Sequence, residues 1–75
     1  MERPVVAPYK HIARVLRARI VDGELQPGDQ LQTLTALCDE FGVTRGTASR
    51  ALGVLQEEGL IYYEPGMGTF VSPPR

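Results

Sequence analysis

From Cys38 to Val71 the chain reads CDEFGVTRGTASRALGVLQEEGLIYYEPGMGTFV. Cys38 and Phe41 continue an apolar stripe that begins at Leu34 and Leu37, the spacing of one buried helix face. Gly42-Val43 interrupts the stripe and makes a tight turn. Thr44 is placed to cap a second, longer helix through its hydroxyl. Ala48, Ala51, Leu52 and Leu55 form the inner face of that helix, and Gly59 ends it. Leu60–Tyr63 and Thr69–Val71 are β-prone segments joined by Glu64-Pro65-Gly66-Met67-Gly68, the pattern of a hairpin with a longer loop.

Upstream, Ile12, Leu16 and Ile20 recur every four residues with Ala13 beside them, which predicts a helix over Tyr9–Val21 stopped by Gly23. Pro27-Gly28 suits a type II turn, because proline fixes the first central φ and glycine accepts a positive second one. Leu31 is expected on a very short strand, and Thr33 as the cap of the helix that runs to about Phe41. Residues 1–8 read as an extended arm, 9–71 as one domain, and 72–75 as a proline-rich tail or the start of a linker. There is no internal repeat. The fold class this order predicts is α+β, mainly α: a winged helix-turn-helix with three helices and a C-terminal β-hairpin wing.

Seventy-five residues with 43% apolar content make one small domain with a modest core. The single Cys38 cannot form an internal disulfide, which points to a reducing, cytoplasmic setting. No apolar run approaches the roughly 18 residues of a membrane span. Cys38 and His11 are too few for a structural metal site, and no nucleophile triad, carboxylate pair or phosphate-cradling loop can be assembled. Neither cofactor nor catalysis is therefore expected. The net charge of −1 does not by itself suggest a polyanion partner, since such affinity comes largely from neutralising phosphates. The charge is polarised, however. Lys10, Arg14, Arg17 and Arg19 crowd residues 9–21 without an acid, while Glu57, Glu58 and Glu64 crowd residues 57–64 without a base.

A helix that reads a DNA groove needs an outward face of small polar and basic groups. Arg45, Gly46, Ser49 and Arg50 lie away from the Ala48/Leu52/Leu55 stripe, with Thr47 at its boundary. Arginine can bond guanine O6 and N7 bidentately, and threonine and serine can reach bases or phosphates. Gly46 costs about 1 kcal/mol inside a helix relative to alanine, which close approach of the backbone to DNA would offset. A solvated helix end that merely tolerates glycine is the competing account. Gly66 and Gly68, with Met67 between them, let a slender loop approach a minor groove, although any hairpin can carry such glycines. The Lys10/Arg14/Arg17 face either touches phosphates or is simply the wet side of its helix.

Several segments together resemble the GntR family of bacterial transcription regulators: Tyr9-Lys-His-Ile12, Leu16-Arg17, Ile20, Gly23, Leu25-Gln-Pro27-Gly28-Asp29, Gly42-Val-Thr-Arg45, Ala51-Leu52, Leu55, Glu58-Gly59-Leu60 and Gly66-Met-Gly68-Thr-Phe-Val71. The resemblance covers residues 9–71. It implies a winged helix-turn-helix that binds a palindromic double-stranded DNA operator as a homodimer, most often as a repressor. It carries DNA-binding roles to Thr44, Arg45 and Thr47, and to Gly66 and its neighbours on the wing. Ser49 falls where many members have arginine. The chain departs from the family at Gln32-Thr33-Leu34-Thr35, where Pro-Ser-Glu-Arg is usual. Thr33 keeps a capping hydroxyl there, whereas Thr35 replaces an arginine that typically reaches DNA. Glu64-Pro65 replaces basic or amide residues on the wing. Family members usually continue into a domain that binds an effector and dimerises. Two origins are open, a DNA-binding domain of a longer regulator or a one-domain protein, and no effector pocket of ordinary size is expected within residues 1–75. A winged-helix module that binds a protein partner, with weak DNA affinity, is the alternative that Thr35, Glu64 and the near-zero charge favour.

Overall fold

Proline has no backbone N–H and a φ already suited to a helix, so it fits the first helical position. In the computed structural model, which describes residues 8–73, Pro8 accordingly opens α1 (Pro8–Val21) instead of ending an arm. The expectations for residues 1–7 and 74–75 lie outside the described residues. α1 is followed by α2 (Leu34–Phe41), α3 (Arg45–Glu57), and an antiparallel hairpin of β1 (Ile61–Glu64) and β2 (Gly68–Val71). This is a winged helix-turn-helix. Among the described residues no helix is long and apolar enough to cross a membrane.

The apolar stripes converge as their spacing predicts. Ile12, Ala13 and Leu16 of α1 meet Leu37 of α2 and Ala48, Ala51 and Leu55 of α3, and Leu31, Ile61 and Val71 close the core from the hairpin side. Ala48 and Ala51 let α1 approach α3 closely, and every core member is an apolar side chain. Removing Leu16, Leu37 or Leu55, each fully buried, costs about 2 to 5 kcal/mol on truncation to alanine.

The turns obey local chemistry. Gly28 has φ 88°, and the Asp29 N–H donates to the Gln26 carbonyl at 2.8 Å, as a type II turn requires. Gly42, at φ 65°, ends α2 and donates to the Cys38 carbonyl at 2.8 Å. Thr33 caps α2, its Oγ1 accepting from the Ala36 N–H at 3.1 Å.

Four expectations need correction. Thr44 has the extended backbone of a cap residue, yet its side chain caps nothing; its hydroxyl pairs with that of Thr47 at 3.2 Å, which takes the place of the backbone donor. The strand-like bridge falls on Gln30, opposite Phe70, one residue before Leu31, whose side chain turns into the core. Both hairpin strands sit one residue from the predicted limits, β1 ending at Glu64 and β2 starting at Gly68, because Glu64 and Gly68 still pair across the sheet. Ser72 does not yet leave the fold, since its N–H donates to the Leu60 carbonyl at 2.9 Å and extends the ladder by one step.

Candidate nucleic-acid interface

With Ala48, Ala51 and Leu55 turned inward, helical geometry puts Arg45, Gly46, Ser49, Arg50 and Gln56 on the open side of α3, and all five are exposed. A Cβ built on Gly46 or on Gly53 would meet nothing within 4 Å. Nothing within the fold therefore requires these two helix-weakening glycines. Thr47 is half-buried and shares its hydroxyl with Thr44. Because Thr44 does not cap, the first-turn N–H groups of α3 have no side-chain acceptor from it, the condition in which a helix N-terminus accommodates an anion.

The structure joins two of the predicted residues directly. Arg45 Nη1 donates to Thr35 Oγ1 at 3.1 Å, bridging the second residue of α2 and the first of α3. Arg50 lies on the flank of the face, its Cζ 4.3 Å from the centroid of the Tyr9 ring on α1. Stacking engages the flat face of the guanidinium and leaves its in-plane N–H groups at the edge. Thr33 is engaged as the α2 cap, although its side chain remains exposed.

The wing tip is held from outside the hairpin. Gln30 Nε2 donates to the Met67 carbonyl at 2.9 Å, and a Cβ on Gly68 would stand 2.5 Å from that same nitrogen. Gly68 also has φ 121°, so its backbone favours glycine, and a side chain there would displace the end of Gln30 that braces the tip. The Leu31 N–H donates to the Thr69 carbonyl and the Val71 N–H to the Asp29 carbonyl, which ties the 28–31 segment to β2. Met67 projects from the tip, 64% exposed. Between α3 and the wing runs a cleft of about 490 Å3 whose lining includes Gln30, Gln32, Ser49, Gln56, Tyr63 and Thr69. These six are neutral amides or hydroxyls, and Leu31, Leu34 and Leu52 line the cleft beside them, so its wall is uncharged and partly apolar. The sequence reading missed Gln30 and the cleft; Gln56, seven residues after Ser49, was within reach of helical spacing.

The helix-one bases divide into two groups. Arg17 bonds Glu58 at both ends, Nε to Oε1 at 2.9 Å and Nη2 to Oε2 at 2.7 Å, and Arg19 pairs with Glu40, which also accepts from Gln32. The hydrogen bonds from Arg17 hold Glu58 below the usual carboxylate range, and those from Arg19 and Gln32 do the same for Glu40. Lys10, Arg14, Arg45 and Arg50 have no acidic partner among the described residues.

The model of the family described as "Bacterial regulatory proteins, gntR family" matches residues 8–71. The mannosyl-D-glycerate transport/metabolism system repressor MngR of Escherichia coli is 45% identical over 67 residues, which are 89% of this chain and 28% of that protein. The HTH-type transcriptional repressor NagR of Bacillus subtilis is 42% identical over 67 residues, with the same two coverages. The chain thus spans little more than a quarter of the length of these relatives. Among solved structures, AraR(DBD) in complex with operator ORX1 superposes with a TM-score of 0.87 at 30% identity, covering 96% of this chain and 92% of that one. By sequence over nearly its whole length, and by a fold that agrees, the chain belongs to the GntR family of bacterial regulatory proteins.

Proposed function

We propose that this chain is the sequence-specific DNA-binding unit of a transcription regulator acting as a repressor. The observation that carries the reading is the state of Arg45. It stands exposed at the start of α3 with no acidic partner among the described residues, while Arg17 and Arg19 are consumed by structural pairs. Arg45 reads a guanine in the major groove, with Gly46, Ser49 and Thr47 close to the neighbouring bases. Arg50, stacked on Tyr9, offers its free edge to a phosphate, and the uncapped first turn of α3 receives another. Met67, between Gly66 and Gly68, approaches the minor groove, and the neutral cleft between helix and wing takes the sugar-phosphate chain. Thr33 and Thr35 face that backbone at the start of α2. Two copies on a palindromic operator give the dyad, and that repressor names recur among the relatives supports the regulatory role.

Affinity for a random duplex and for a selected duplex, each measured across salt, tests this. Each of the four unpaired bases among the described residues that neutralises a phosphate adds about −0.9 to the slope of log K against log salt. Arg45→Ala is expected to weaken the selected duplex by about 1 to 3 kcal/mol and to relax preference at one base pair. Equal loss on both duplexes assigns Arg45 to a phosphate instead. No salt-dependent affinity for either duplex transfers the face to a protein partner.

A further inference from the structure

Arg45 carries a long, flexible side chain, and its guanidinium discriminates between bases only when its fork lies in the plane of one. In this fold it is already tethered, because Nη1 donates to Thr35 Oγ1 at 3.1 Å. The anchor is itself fixed. Thr35 is the second residue of α2, a helix capped by Thr33 at its start and closed by Gly42 at its end. Resting on the DNA-reading function above, we propose that Thr35 is a specificity-determining residue that acts by positioning Arg45.

The chemistry of the hydroxyl suits this role. A guanidinium has five N–H donors and no acceptor, so donating one to Thr35 leaves four, enough for a bidentate bond to a guanine. Thr35 cannot return its proton to Arg45. Its O–H therefore points elsewhere, and accepting from a cation makes it a better donor. On DNA that proton meets a phosphate oxygen, so one hydroxyl links the register of α2 on the backbone to the aim of Arg45 on a base. A carboxylate at position 35 would cancel the charge of Arg45, and a second guanidinium would repel it. A hydroxyl orients Arg45 without doing either.

The test is a double-mutant cycle on the full chain. Duplexes selected from a random pool by the wild type, and the same duplexes altered at the base pair that Arg45→Ala ceases to read, are titrated with wild type, Thr35→Ser, Thr35→Val, Arg45→Ala and the Thr35→Val/Arg45→Ala pair. Thr35→Val is expected to lower discrimination at that base pair by roughly 3- to 10-fold, the net worth of one ordinary solvent-exposed hydrogen bond. Thr35→Ser is expected to restore it, and once Arg45 is alanine Thr35→Val is expected to cost only the phosphate contact, equally on every duplex, with no further change in discrimination. Circular dichroism checks that each variant keeps its fold, as substitution at an exposed position should allow. Unchanged discrimination in Thr35→Val overturns the proposal. So does a loss that is equal on every duplex while Arg45 is present, which marks a bare phosphate contact, and so does a change in discrimination that persists without Arg45. A wild-type chain that enriches no sequence overturns the DNA reading itself, and the proposal with it.

Discussion

Two threonines stand just before α2 and α3 and do different work. Thr33 accepts from the Ala36 N–H, whereas Thr44 spends its hydroxyl on Thr47. Thr33→Ala is therefore expected to destabilise the domain by about 1 kcal/mol, and Thr44→Ala by clearly less. Chemical unfolding of the two variants checks the order; equal losses would show that both hydroxyls act as caps. The sequence made both residues visible as cap candidates, because the residue types and the flanking apolar stripes are local. It could not choose the partner of Thr44, since Thr47 lies three residues on and competes with the backbone for the same oxygen. Arg45 and Arg50 teach the same lesson. Helical spacing put both outside the core, but their partners, Thr35 and Tyr9, depend on how α2 and α1 pack against α3.

At the level of elements, the three helices were legible because their apolar stripes and glycine stops are periodic and short-ranged. The wing was legible as a hairpin but not as a braced one. Its brace, from Gln30 to the Met67 carbonyl, spans 37 residues of sequence. Gly68→Ala meets both the positive φ and the Gln30 side chain, and is expected to cost about 1 to 3 kcal/mol of local stability. Hydrogen exchange should show the loss in the amides of β2 and the tip before those of α3. Gln30→Ala removes one hydrogen bond without backbone strain, so it should loosen the tip with a smaller effect on global unfolding. Uniform loss of protection across the domain in Gly68→Ala would contradict a locally braced wing.

For the whole molecule, the distribution of charge matters more than its sum. Residues 9–21 read as a basic stretch, yet two of its four bases are tied to acids on other elements, Arg17 to Glu58 after α3 and Arg19 to Glu40 on α2. These pairs bind α1 to the helix-turn-helix and subtract from the charge available to DNA. Both carboxylates titrate below their ordinary value in the fold, so they bind fewer protons than the unfolded chain near that value, and stability rises with pH there. Their contribution is complete above the ordinary glutamate value of about 4.3 and is lost as the pH falls through the lower folded values. Thermal unfolding from neutral pH downward should show the decline, and Glu40→Gln with Glu58→Gln should flatten it.

The central claim is that the exposed face of α3, led by Arg45, reads DNA sequence. Selection of bound duplexes from a random pool by the wild type and by Arg45→Ala tests it most directly. The account predicts a palindromic consensus for the wild type and loss of one base pair per half-site in the variant. A pool that remains random with the wild type, or a consensus that Arg45→Ala leaves unchanged, would contradict it.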